Sequence, residues 1–178
     1  MESSRLMERG RHQTILPFTC FLAGPADYTS MIFNERRRNS SWAHQIASMA
    51  VFSSPLLTIA AHPDSILRNP AVEVIKSIPS VWDETIVLPS SRIGELVVYA
   101  RRSGTTWYLA LMNGGTARTL SVPLFFLSEG VYRGELVRDD PKNSGAVKTE
   151  TSDLRRNSEL VIELADGGGF LGRFLKAR

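Results

Sequence analysis

The sequence predicts a mixed α and β chain in two unequal parts: a strand with helices, then an antiparallel β-sandwich. Three observations carry this reading. Residues 15–23, ILPFTCFLA, form an apolar run closed by Gly24-Pro25, the pattern of a strand buried on both faces. Residues 40–52, SSWAHQIASMAVF, place two N-cap serines before a helix whose apolar residues cover well over half its circumference. After Pro79 the pattern changes to short runs separated by turn residues, as in a sandwich.

Taken in order, the first eleven residues are charged and unpatterned, and MESSRLMERGRHQ holds no apolar signal-peptide core. The strand at 15–23 leads into a polar loop whose run Glu35-Arg36-Arg37-Arg38 reads as solvated, since no aromatic residues interleave it. The helix follows, and Pro55 opens the next segment, PLLTIAA. Asn69-Pro70 is a cap and first-turn signal for a short helix, AVEVIKSI, which Pro79 ends. The later strands are ETIVL, GELVVYARR, TTWYLALM, RTLSVPL, GVYRGELVR, ELVIEL and GFLGRFL. Ser103-Gly104 is a hairpin signal. Alternation in TTWYLALM puts Trp107, Leu109 and Leu111 on one face, with Tyr108, Ala110 and Met112 on the other. Residues 139–158 are polar and predict a long loop, with one weak strand at Ala146 to Thr149.

Composition narrows the function classes. The 178 residues are 43% hydrophobic and 22% charged, with a net charge of +3, which predicts neither a nucleic-acid nor a membrane partner. The stretch Trp42 to Ala61 is interrupted by His44, Gln45, Ser53, Ser54 and Pro55, too often for a membrane span. One cysteine, Cys20, excludes an internal disulfide and a cysteine zinc site. Burial adds a further expectation. One buried strand has no sheet to sit in, and the helix has more apolar surface than its neighbours can cover. The chain is therefore expected to begin within a larger protein. An excised 79–178 should be soluble, and 12–78 should promote aggregation.

Few residues carry chemistry by themselves. Asp27 in GPADYT follows a predicted strand end, where a β/α barrel places substrate-contacting groups, though a turn-capping role fits the same position. His12, His44 and His62 are too scattered for a ligand motif; His44 reads as a hydrogen-bonded core residue and His62 as a loop residue. Gly167-Gly168-Gly169 reads as a turn rather than a phosphate cradle, because a strand follows it. Asp83-Glu84 are adjacent on a strand, point to opposite faces, and so form no catalytic pair.

The combination of HQTILPFTCFLAGPADYT, WAHQIASMAVFSSPLLTIAAHP, LRNP, VWDETIVL, GELVVYARRSGTTWYLALMNGG and LADGGGF resembles the C-terminal portion of glycoside hydrolase family 97, nearly from His12 to Phe174. The resemblance implies a parent with an N-terminal sandwich, a (β/α)8 catalytic barrel and a C-terminal sandwich. Residues 1–78 would then be the tail of the barrel, with its last strand and helices. Residues 79–178 would be the sandwich concerned with packing and oligomerisation. It implies hydrolysis of α-glucosidic or α-galactosidic bonds in the parent, an oligosaccharide substrate, and a calcium ion held by glutamates upstream of His12. This chain would itself hold no cofactor and no catalytic residue. His12, Asp27 and Tyr28 would lie at the barrel mouth as substrate-binding residues. The family has proline and glycine where this chain has Ser30-Met31.

The expected partners are the parent's substrate, a second copy, or a complementing N-terminal fragment. The alternatives are a free-standing module that binds carbohydrate or protein through Trp82, Trp107 and Tyr108, or the product of a degraded gene copy.

Overall fold

The computed structural model describes residues 10–177; most of the unpatterned first eleven residues lie outside that range. Among the described residues, ten strands and three α-helices, besides the helical segment 10–15, are arranged in layers. In chain order these are β1 (Thr29–Ser30), α1 (Trp42–Val51), β2 (Thr58–Ile59), α2 (Pro63–Leu67) and α3 (Val72–Ser77). The strands β3 (Glu84–Val87), β4 (Leu96–Ser103), β5 (Thr106–Asn113) and β6 (Arg118–Pro123) follow. The chain closes with β7 (Val131–Asp139), β8 (Val147–Arg155), β9 (Glu159–Leu164) and β10 (Gly169–Lys176). A six-stranded sheet has the order β3-β4-β5-β10-β7-β8, every described pair antiparallel. The ribbon β6-β9 packs on one face of this sheet, and α1 packs on the other.

The alternation predicted for TTWYLALM is what builds this layering. Trp107, Leu109 and Leu111 enter a core with Val122, Ile162 and Leu164 of the ribbon. Tyr108, Ala110 and Met112 enter a second core with Ala43, Ile46, Ala47 and Ala50 of α1. Every residue of β4 from Leu96 to Arg101 is buried, because the sheet has a partner on each face. Helix α1 begins at Ser41 as its sequence predicts, and every residue from Ala43 to Val51 is buried. Its apolar surface finds cover on the β-sheet, a partner that the local pattern of residues 1–78 does not reveal.

Two expectations are corrected. Residues 15–23 are not a buried strand. Residues 10–15 are helical, and 3-10 turns follow at Leu16–Phe18 and Cys20–Leu22. Pro17 lacks the N–H a central strand would need. Its carbonyl instead accepts from the Tyr99 hydroxyl at 3.2 Å, and Phe18 meets the Tyr99 ring edge-on. Leu16, Phe18 and Phe21 of the run pack irregularly against the core, whereas Leu22 is exposed. The parallel pairing lies further along: β1 pairs with β2, Thr29 opposite Thr58 and Ser30 opposite Ile59. The second correction is at 139–158, where β8 runs for nine residues along β7. Only Val147 and Leu154 of β8 are buried, so it shows no apolar alternation. Its pairing with β7 specifies it, and its exposed charges suit a sheet edge.

Met31, fully buried, has a φ of 57°. This is the left-handed region that favours glycine.

The two-faced sheet also revises the expectation for an excised 79–178. Without α1, Val97, Tyr99, Tyr108, Met112 and Leu171 lose their cover, each worth about 1.5–3 kcal/mol of burial. The excised segment is expected to bind a hydrophobic dye and to aggregate on gel filtration, while 10–178 binds less dye per molecule. Equal dye binding by the two would contradict this.

Candidate functional site

The three sequence-predicted site residues do not converge on one cavity among the described residues. His12 is exposed on the helical segment 10–15, and Asp27 is exposed just before β1. Tyr28 is half-buried, its ring tilted against Phe52 at 3.9 Å between centroids and edge-on to Phe21. The Tyr28 hydroxyl and the Gln13 amide lie 2.6 Å apart. Gln13 also meets His44 Nε2 at 3.1 Å, while His44 Nδ1 faces the Gly168 carbonyl at 3.1 Å. Both partners are oxygen atoms, the Gly168 carbonyl and the Gln13 amide oxygen, so each ring nitrogen faces an acceptor. His44 is thus a hydrogen-bonded core residue, as its place on a buried helix predicts. It links the segment carrying Tyr28 to the glycine turn before β10.

That turn is part of the most elaborate polar construction in the described chain, the seat of α1 on the sheet. A helix start leaves N–H groups without intrahelical partners. Here the Trp42 N–H donates to Ser144 O at 2.9 Å, and the His44 N–H donates to Ser41 Oγ at 3.0 Å. Just outside the helix, the Ser41 N–H donates to Gly167 O at 2.9 Å. The Ser41 hydroxyl in turn donates to Asp139, at the end of β7. Asp139 also accepts from the Ala165 and Gly169 N–H groups at 3.1 Å. One carboxylate therefore joins the helix cap, β7 and the β9–β10 turn. Arg37 adds a brace, donating to Ser40 O and to Ser144 Oγ, so the arginine run is only partly solvated.

The far end of α1 is held by Arg101 of β4, which is 6% exposed. Its guanidinium donates to Ala50 O at 3.0 Å, Val51 O at 3.3 Å, Ser53 Oγ and Thr85 Oγ1. No carboxylate lies within ion-pair distance of it among the described residues. The carbonyl end of the helix takes the part of the counter-charge. Sequence reasoning missed both Asp139 and Arg101, because each acts on residues about fifty or a hundred positions away.

Asp139 and Glu163 share a cleft of about 550 Å³, yet the arrangement is not a glycosidase pair. Both Asp139 oxygens are occupied by donors from its own fold, leaving it no proton-transfer role. Burial pushes its carboxyl above the ordinary 3.8, against the opposing effect of those donors. The folded chain then takes up this proton before the unfolded chain does. Stability from this group is full below pH 3.8 and is lost as pH rises through the folded value. Asp139→Asn keeps one acceptor but turns an NH2 towards an N–H. It is expected to cost about 1–3 kcal/mol at pH 7, with a larger gap from the unsubstituted chain at pH 3 in urea unfolding. A gap that shrinks at pH 3 would contradict the assignment.

Among the described residues no three His, Cys, Asp or Glu side chains gather to hold a metal ion. No described helix is long and apolar enough to cross a membrane. The aromatic residues of the binding-module alternative do not form one platform. Trp107 faces the ribbon core, whereas Tyr108 and Trp82 meet edge-on at the other face. Asp83 and Glu84 both serve Arg102, at 3.6 and 3.1 Å.

The sheet is thus clamped on a helix that joins two parallel strands. Residues 81–175 match the family described as glycosyl-hydrolase 97 C-terminal, oligomerisation. The chain is 30% identical, over 94% of its length and 28% of the relative's, to a retaining alpha-galactosidase of Bacteroides thetaiotaomicron. It is 32% identical, over 90% of its length and 25% of the relative's, to a probable retaining alpha-galactosidase of Streptomyces bingchenggensis. Among solved structures, a family 97 enzyme of Pseudoalteromonas sp. strain K8 in complex with panose superimposes with a TM-score of 0.85. That match has 28% identity and covers 95% of this chain and 29% of that one. The chain belongs to glycoside hydrolase family 97 and corresponds to its C-terminal portion. It spans about a quarter of the length of the relatives it matches.

Proposed function

We propose that the chain serves as the C-terminal quarter of an α-galactosidase-type enzyme, in which residues 1–78 complete the wall of a (β/α)8 barrel and residues 79–178 brace it. The observation that supports this is the β1-α1-β2 unit, two parallel strands joined through a helix. Such a pair is the repeating element of a β/α barrel. Among the described residues β1 and β2 pair only with each other, and Leu56, 82% exposed, stands just before β2. Further barrel strands would pair with these edges. The sandwich then fixes the wall by gripping α1 at both ends, through Asp139 and Arg101.

On this reading the opposed carboxylates needed for glycoside hydrolysis, and any calcium ligands, belong to the remainder of the enzyme. The chain alone is inactive. His12, Asp27 and Tyr28 are the residues that would approach the substrate once the barrel is closed. The family's description as an oligomerisation domain supports self-association, and a separately made N-terminal portion would be a complementing partner. The relative holding panose supports α-glucosidic bonds as a second substrate reading.

A chimaera tests the proposal. The B. thetaiotaomicron relative is cut before the matched region and rejoined to this chain. The chimaera is expected to fold and to turn over an aryl α-galactoside, while neither the cut relative nor this chain turns it over alone. Full activity of the cut relative would refute the bracing role.

A further inference from the structure

The ribbon-facing side of the sheet runs on past the end of the ribbon and leaves a cleft of about 410 Å³. Register explains its lining. Glu84 pairs with Arg102, Arg102 with Trp107, and Lys176 with Tyr132, so these side chains lie along one end of one face. Phe126 closes the cleft on the core side, and Arg156 reaches in from the turn between β8 and β9.

The charges in this cleft are unbalanced. Three cations, Arg102, Arg156 and Lys176, face one carboxylate, Glu84. Arg102 already takes Glu84 at 3.1 Å. Arg156 and Lys176 have no carboxylate within 4 Å among the described residues. They are nevertheless drawn to adjacent points of one loop. Arg156 Nη1 donates to Leu127 O at 2.8 Å, and Lys176 Nζ donates to Ser128 Oγ at 3.2 Å. The Ser128 hydroxyl also lies 2.7 Å from the hydroxyl of Tyr132, a residue only 2% exposed. Two positive charges held this way repel each other, and an anion between them would remove the repulsion.

We propose that this cleft binds an acidic monosaccharide, its oxyanion held by Arg156, Lys176 and the Ser128 hydroxyl. A bare oxyanion would leave most of the volume empty, whereas a cleft of this size suits a small organic ligand. Thr105 and Glu84 offer acceptors to sugar hydroxyls, and Trp107 and Phe126 contribute apolar lining. The site lies on the opposite side of the sheet from α1. It is therefore independent of the proposed barrel, and its failure would leave that proposal untouched.

The test is titration of the full chain, followed by NMR and calorimetry, with galacturonate, galactose 6-sulfate, galactose and inorganic sulfate. Saturable one-to-one binding of an acidic sugar is expected, and the two acidic sugars distinguish a carboxylate from a sulfate ester. Galactose should bind at least about tenfold more weakly. Arg156→Gln and Lys176→Gln, both at exposed side chains, should each weaken the acidic sugar about tenfold or more without moving the melting temperature. Absence of saturable binding, equal binding of galactose, or sulfate binding as tightly as the acidic sugars would each overturn the assignment.

Discussion

Gly169→Ala is expected to lower unfolding free energy by about 3 kcal/mol or more, at the upper end of overpacking effects. A Cβ at this position would stand 2.3 Å from His44 Cα and 2.5 Å from His44 N. Both are backbone atoms of α1, so no side-chain rotation relieves the contact. The helix must lift from the sheet or β10 must leave its register between β5 and β7. Either movement breaks the hydrogen bonds by which Asp139 joins Gly169, Ala165 and Ser41. The glycines around it differ in kind. Gly167 adopts a φ of 61° in the turn, whereas Gly169 is required by close approach. Chemical unfolding followed by tryptophan fluorescence would measure the loss. A variant within about 1 kcal/mol of the parent would show that the helix is not seated this closely.

Arg101→Met is expected to cost about 2–4 kcal/mol, because it leaves buried acceptors without donors. Methionine retains much of the packing volume beneath Trp82, whose ring centroid lies 5.1 Å from the guanidinium. It cannot donate to Ala50 O, Val51 O, Ser53 Oγ or Thr85 Oγ1. Burial lowers this guanidinium to a pKa of about 10, so it remains charged at neutral pH and answers the partial negative charge at the end of α1. Arg101→Lys should fall between the two chains, since an ammonium group lacks the planar fork that reaches both helix and strand. Thermal melts of the three chains test the ranking. A methionine variant as stable as the parent would mean that water satisfies the helix end equally well.

The seven strands named from ETIVL to GFLGRFL were legible because sandwich strands announce themselves locally. Alternation in TTWYLALM follows from the two-residue period of a strand, and the cap at Ser41 needs only the three residues after it. The glycine turn at 167–169 and the core setting of His44 are local in the same sense. β8 was not legible, for an equally physical reason. An edge strand with charged side chains buries little, and VKTETSDLR is specified by its ladder with β7 rather than by its own pattern.

The apolar run ILPFTCFLA shows the opposite failure. Its composition predicts a buried strand, yet only Pro17 is buried and Leu22 stands 75% exposed. Strand pairing and irregular packing against Tyr99 demand the same hydrophobicity, and Pro17 was the one residue that argued against pairing. The candidate site divides along the same line. His12, Asp27 and Tyr28 came from a family pattern carried in the sequence. The contacts that organise the described fold are Arg101 to Ala50, Asp139 to Ser41 and Gly169 to His44. Each crosses at least fifty residues and joins two layers. Local sequence determines where turns, caps and alternating faces occur, since those depend on neighbours within a few residues. Which face meets which helix, and which buried charge holds it there, is decided only when the layers close. The energy that selects the arrangement then comes from groups with no sequence relation to one another.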